Sequence, residues 1–286
     1  MNPLREFIRK CKTSKKNQVK PVKAIAYANN HFEEGGTSLL YECWIEEERE
    51  IYVAKILQNN HQGGQAYKCF QTECKMLKKF KGKSHIIPFL HILEDQECII
   101  LPKMKEDLCA LLDSQEDHKC SEALAKKIFK QVCTAVRHLH KEGVAHVDIK
   151  AGNVLRGFDD NYYLSDLGSA CKKVEKGDVV WKTRAYASPE ISGGNYEYLM
   201  QGDIWSLGVL LYGIVNGHID AFGEDTSQDE ATMVIDHMRH SYSSELCELL
   251  SSLLQINPLK RPQISEVLHH PWMSDTNRLN EQAALV

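Results

Sequence analysis

Val144-Ala145-His146-Val147-Asp148-Ile149-Lys150-Ala151-Gly152-Asn153-Val154-Leu155, followed by Tyr163-Leu164-Ser165-Asp166-Leu167-Gly168, is a polar cluster set inside apolar runs. Val144-Ala145 and Val154-Leu155 read as buried, strand-like pieces. Between them stand an acid, a base and an amide at fixed spacing: Asp148, Lys150 and Asn153. A second acid, Asp166, follows one short hairpin later, with Asp159-Asp160-Asn161 as its turn. Two carboxylates, an amide and an ammonium at the ends of buried strands suit a magnesium–phosphate site. Hard oxygen ligands hold the metal, and the lysine neutralises charge. The plainer reading is a polar loop in which the two Asp residues act as caps.

Working outward, 286 residues suffice for one large domain or two small lobes with ample core. The formal net charge of -4 and the 43% hydrophobic share are those of an ordinary soluble protein. No apolar run is read as approaching the ~20 residues that cross a bilayer. No secretory h-region is expected at the N-terminus. The ten cysteines are scattered without a CxxC pair or Cys/His ligand spacing. They imply reduced, mostly buried thiols and a cytoplasmic or nuclear setting.

The polar cluster resembles the signature of the eukaryotic protein kinases, H-R-D-x-K-x-x-N followed by D-F-G. Val147 stands in place of the Arg and Leu167 in place of the Phe. Other segments resemble the family in order along the chain. Tyr52-Val53-Ala54-Lys55 is similar to the V-A-I-K strand. Glu33, Gly35, Ser38 and Leu40 fall on a degenerate G-x-G-x-x-G-x-V loop, in which Gly35-Gly36 still permit a tight hairpin. Thr183-Arg184-Ala185-Tyr186-Ala187-Ser188-Pro189-Glu190 resembles T-x-x-Y-x-A-P-E. Asp203-Ile204-Trp205-Ser206-Leu207-Gly208 resembles D-x-W-S-x-G, and Asn257-Pro258-Leu259-Lys260-Arg261-Pro262 resembles D-P-x-x-R-P.

The resemblance implies an α+β, two-lobed fold over residues 24–273. Residues 24–103 would form a five-stranded antiparallel sheet with one helix, and residues 104–273 a mainly helical lobe, with ATP between them. It implies that Lys55 holds the α/β-phosphates and that Glu73, on a helix over 64–80, holds Lys55. Asp148 would position and deprotonate the acceptor hydroxyl, Lys150 would neutralise the γ-phosphate, and Thr183 would shape the acceptor pocket. Asn153 and Asp166 would hold Mg2+ or Mn2+. Gly35, Gly36, Leu40, Val53, Leu101, Pro102, Met104 and Asp107 would contact ATP, Pro102 through its carbonyl and Met104 through its N–H. Asp203 would brace the catalytic loop, and Arg261 would pair with Glu190.

The implied function is a serine/threonine kinase acting on protein substrates. Between Gly168 and Thr183 the sole hydroxyl is Ser169, and the Arg that reads an activation-loop phosphate is Val147. The two absences agree, and predict a kinase that needs no such phosphate. The alternative is a pseudokinase scaffold, favoured by Glu33, Ser38, Val53 and Val147.

Three further expectations come from the residues themselves. Residues 1–23 carry eight Lys and Arg against Glu6, which reads either as a solvated arm or as a contact for an acidic partner or surface. Ser121 caps a helix over 121–141 whose stripe is Leu124, Ile128, Val132, Ala135, Val136 and Leu139. His269-His270 beside Trp272 read as structural, and 274–286 as a short tail.

Overall fold

The structure is a computed structural model, and it describes residues 25–27, 33–34, 38–45, 50–58, 64–175, 182–218, 222 and 226–274. Gly35, Gly36 and the basic stretch 1–23, singled out from the sequence, lie outside the described residues, as does 275–286. The chain divides into two compact units, Met1–Gly82 with Ile87–Lys105, and Lys83–Ile86 with Glu106–Val286.

The first unit is an antiparallel sheet with one helix. Its strands are β1 (Ile25–Tyr27), β2 (Glu33–Glu34), β3 (Ser38–Ile45), β4 (Ile51–Leu57), β5 (His91–Leu93) and β6 (Cys98–Pro102). The order is β1-β3-β4-β6-β5, and β2 pairs with the same strand β3 as β1 does, farther along it. The sheet therefore has six strands in five positions, which reconciles it with the expected five. Strand alternation separates its faces. Tyr41, Cys43 and Ile45 of β3, Tyr52 and Ala54 of β4, and Cys98 and Ile100 of β6 form one buried cluster. The intervening residues face the other way. Cross-strand partners share a face, and Leu40 lies opposite Lys55 while Val53 lies opposite Leu101.

Helix α1 (Gln65–Lys79) buries Ala66, Phe70, Cys74, Met76 and Leu77. The sequence marks Ala66, Phe70, Met76, Leu77 and Phe80 as one apolar face; Cys74 joins it, and Phe80 is buried just beyond the helix. Glu73 is buried on the same helix, at 4% exposure, so it is not one of the solvent-facing charges among Lys75, Lys78 and Lys79.

The second unit is mainly helical: α2 (Leu108–Asp113), α3 (Glu122–Lys141), α4 (Pro189–Ser192), α5 (Leu199–Asn216), α6 (Gln228–Met238), α7 (Ser244–Leu253) and α8 (Ile264–Leu268). A small sheet of β7 (Glu106–Asp107), β8 (Val154–Arg156) and β9 (Tyr162–Leu164) carries the polar loops. Ser121 caps α3 through Leu124 N. Its buried face is Ala125, Ile128, Phe129, Val132, Cys133, Ala135, Val136 and Leu139. Leu124, expected in the stripe, is only partly buried, and Ala125, Phe129 and Cys133 are added. The face is wider than the i, i+4 rows suggest because α5, α8 and β9 all pack on it.

α5 is apolar on nearly every side and sits within this unit. Within Tyr196–Asn216 an 18-residue stretch meets the length and composition expected of a membrane-crossing helix, and 83% of that stretch is buried in the protein. Gln201 and Asp203 interrupt the apolar run, and the apolar surface of this helix is covered by protein. Gly208 permits this packing, since a Cβ there would lie 2.8 Å from Leu254.

Candidate active site

In the first unit, the alternation of β4 puts Val53 and Lys55 on one face, with Leu40 and Leu101 as neighbours across the ladder. Three apolar side chains and one lysine therefore share a surface away from the sheet's buried cluster. Lys55 Nζ lies 2.9 Å from Glu73 Oε1 and 2.8 Å from Oε2, so the ammonium is held by both oxygens. Two charges in so buried a place persist because each satisfies the other. Leu101 is buried and Pro102 half-buried at the end of β6, opposite Val53 and Tyr52. Met104 follows, also half-buried, and Lys103 is tied to Glu42 at 2.5 Å.

In the second unit, Val144 and Ala145 are fully buried, and Ala145 exchanges two backbone bonds with Cys171, of 2.8 and 3.0 Å. The loop that follows is clamped from below by Asp203, itself 1% exposed on α5. Its Oδ2 accepts from His146 N at 2.7 Å and its Oδ1 from Val147 N at 2.8 Å. His140 Nε2 donates to Oδ2 at 2.8 Å, so three donors share one buried carboxylate. The role expected for Asp203 matches this geometry. His140 was not visible from the sequence, because nothing in its local pattern points to a residue 63 positions away.

The clamp holds Val147 at φ 74. A β-branched residue in that region is a true outlier, costing on the order of 1–3 kcal/mol. His146 is fully buried, and its Nε2–H donates to the Ser165 carbonyl at 3.0 Å. That assigns the proton to Nε2, and Nδ1 is buried without a partner among the described residues.

Asp148 is the hub. Its Oδ1 accepts from Thr183 N at 2.9 Å and from the Thr183 hydroxyl at 2.7 Å. Its Oδ2 lies 3.0 Å from Lys150 Nζ and 3.1 Å from Asn153 Nδ2. Lys150 also donates to Thr183 Oγ1, at 3.0 Å, so the hydroxyl bridges acid and ammonium. The Asn153 amide nitrogen is further fixed by the Asp148 carbonyl at 2.8 Å, which leaves Oδ1 as the acceptor. Ser165 N and Oγ donate to the Asn153 carbonyl at 2.8 and 3.0 Å. Asp166 therefore leaves the β8–β9 hairpin at the end where Asn153 enters it. Its φ of 57 turns the chain sharply, and Leu167 beyond it is fully buried.

The structure thus joins Lys55 with Glu73 in one unit, and Asp148 with Lys150, Asn153 and Thr183 in the other. Asp107 caps α2, its Oδ1 accepting from Ala110 N at 2.8 Å, a role the sequence reading had not assigned. Cys109 was also missed: its Sγ would be 4.0 Å from a Cβ on Gly152, beside the polar loop. Although the side chain is exposed, partial desolvation of the sulfur, and then the charges of Asp107 and Asp113, raise its thiol pKa.

Glu190 and Arg261 pair as expected, at 2.6 and 2.8 Å, with the Arg side chain fully buried. The remaining guanidinium N–H groups go to the carbonyls of Gln255, Gln201 and Ile256. His269 Nδ1 bonds the Ser265 carbonyl, and His270 Nδ1 accepts from Trp272 N.

A family profile described as the protein kinase domain matches residues 29–273. Among curated proteins, serine/threonine-protein kinase kin-29 of Caenorhabditis elegans is 33% identical over 179 residues, which is 60% of this chain and 22% of that protein. The PAS domain-containing serine/threonine-protein kinase of Mus musculus is 32% identical over 246 residues, 82% of this chain and 16% of that protein. NUAK family SNF1-like kinase 2 of Rattus norvegicus is 31% identical over 212 residues, 70% of this chain and 33% of that protein. This chain spans a third or less of the length of these relatives. With the profile running from the first sheet to the last helix, the chain belongs to the protein kinase family, and its relatives there are serine/threonine kinases.

Proposed function

We propose that this chain transfers the terminal phosphoryl group of ATP to serine or threonine hydroxyls of proteins. The observation that carries the reading is the Asp148 carboxylate, oriented at once by Thr183, Lys150 and Asn153. An acid so placed aligns an acceptor hydroxyl and takes its proton as the new bond forms, a contribution of roughly 10²–10⁴ in rate. Lys150 neutralises charge that builds on the transferred oxygens. Lys55, positioned by Glu73, binds phosphate oxygens, and Leu40, Val53 and Leu101 offer the apolar surface for a base. The Pro102 carbonyl and the Met104 N–H supply an acceptor and a donor beside it.

The donor set fits the metal. An amide oxygen on Asn153 and a carboxylate on Asp166 are hard ligands, and few protein ligands suit an ion that is also held by phosphates. Bound ATP with Mg2+ or Mn2+ supplies the phosphoryl group and the positive charge that stabilises its transfer. The chain's residues contribute position and electrostatics.

We further propose that no activation-loop phosphate is required. Val147, where a phosphate-reading Arg stands in the family signature, packs with Cys171, Val174 and Tyr196 on a buried cluster of Ala145, Ile191 and Leu199. Apolar contact here does what an arginine–phosphate pair would otherwise do. The test is Mg·ATP-dependent transfer to a generic basic protein by phosphatase-treated chain, with Asp166→Asn as control. Transfer that is lost in the control supports both parts of the reading. Thermal stabilisation by Mg·ATP without transfer points to a nucleotide-binding pseudokinase scaffold instead.

A further inference from the structure

A second polar cluster lies in the helical unit, built from a turn and the end of α3. The turn is Lys83-Ser84-His85. It is strapped to β9: Leu164 N donates to the His85 carbonyl at 2.8 Å, and His85 Nδ1 donates to the Tyr162 carbonyl at 3.0 Å. These bonds hold His85 at φ 62, a conformation an ordinary side chain disfavours. Across from the turn, Arg137, His138 and Lys141 sit at i, i+1 and i+4 on α3. Ser84 Oγ lies 3.1 Å from His138 Nε2, which brings the two segments together.

The cluster is cationic. Burial first, then the nearby charges of Arg137, Lys83, Lys141 and His85, hold the His138 imidazole below its ordinary pKa. Every one of those neighbours is a base. Glu142 follows Lys141 in sequence as the nearest acid along the helix end. Helix polarity accounts for part of this, since cations favour the last turn of a helix. It does not account for Lys83 and His85, which come from a separate segment.

We propose that the Lys83–His85 turn and the end of α3 form a docking site for a phosphorylated, acidic segment of a protein partner. A phosphate offers three strong acceptor oxygens and nearly two negative charges, matched to the positive charges of Lys83, Arg137 and Lys141 and to the exposed Ser84 hydroxyl. A single carboxylate would leave donors unused. A lipid surface fits less well. None of the large exposed hydrophobics among the described residues (Trp44, Ile51, Phe158, Met200, Met233, Leu259) belongs to this turn or to the end of α3. Membrane contact usually adds such anchors to the charge. The site shares no residue with the candidate active site, so the proposal stands or falls apart from the kinase reading.

The experiment measures fluorescence anisotropy of a labelled peptide with one phosphoserine among glutamates, against the intact chain without nucleotide at physiological salt. An unphosphorylated twin and phosphatidylcholine vesicles carrying phosphatidylinositol bisphosphate are the comparison probes. The expected result is binding of the phosphopeptide that weakens about tenfold or more, at least 1.4 kcal/mol, for the twin and for the Lys83→Gln/Lys141→Gln double variant. Both lysines are exposed, so that variant keeps the fold. As a second readout, the His138 imidazole resonance should titrate at higher pH when the phosphopeptide is bound, because an anion offsets the surrounding cations. No binding, equal affinity for the two peptides, or binding to vesicles alone would overturn the proposal.

Discussion

Asp203 concentrates most of what holds the start of the His146–Asn153 loop into one side chain. It accepts from the backbones of His146 and Val147 and from the His140 ring, all within 2.8 Å. Those bonds are what keep Val147 at φ 74, one residue before Asp148. Replacing Asp203 with Ala removes the acceptor shared by His146 N, Val147 N and His140 Nε2 and frees the strained residue to relax. The expected loss is roughly 3–5 kcal/mol in unfolding free energy, with phosphate transfer falling further than that destabilisation explains. Urea denaturation alongside an activity assay on the folded fraction separates the two effects. A variant with unchanged activity per folded molecule would sink the bracing role. At this scale the sequence was informative where chemistry demands a residue type at fixed spacing: Asp148, Lys150, Asn153 and Asp166 could be picked out before any coordinates. It was silent on His140, on the left-handed Val147, on Asp107 as a helix cap and on Cys109. Each depends on where a distant segment lands, and no local pattern encodes that.

Between elements, the buried Arg261 ties α4 to the turn before α8. All its N–H groups are used, on Glu190 and on three backbone carbonyls, and its plane lies over the Trp205 ring at 5.1 Å. Arg261→Ala would strand the Glu190 carboxylate and those carbonyls, at an expected cost of about 3–5 kcal/mol. Arg261→Lys keeps the charge but cannot fork, and should lose less. Calorimetric melting of both variants checks the order, and an alanine variant within 1 kcal/mol of the parent would contradict it. The helices themselves were readable from capping and periodicity. Ser121 starts α3, and α1 buries the face its sequence predicts. What was misjudged is width: Leu124 is half-exposed while Phe129 and Cys133 are buried, because several elements cover α3 and a single stripe cannot anticipate that. The split of β2 from β1 along one edge of β3 was likewise not legible, since both read as one continuous meander.

For the molecule as a whole, the thiols offer a global probe of the fold. Nine free cysteines fall among the described residues, of which Cys43, Cys74, Cys98, Cys120, Cys133 and Cys247 are buried and Cys109 is exposed. Burial pushes Cys43 and Cys74 up to about 12, so neither carries appreciable thiolate at neutral pH. Native-state alkylation followed by mass spectrometry should mark Cys109 ahead of those six, which become reactive together only as the chain unfolds. Early labelling of Cys133 would refute the packing of α3. The covering of α5 bears finally on how the chain is made. Its apolar flank at Gly208 is closed by Leu253 and Leu254, and Leu254 leaves the ribosome 38 residues after Asn216. At ordinary elongation rates that is roughly 2–8 s during which a segment apolar on nearly every side lacks this part of its cover. Chains halted between Asn216 and Leu254 should therefore be the ones that chaperones hold and that aggregate when released.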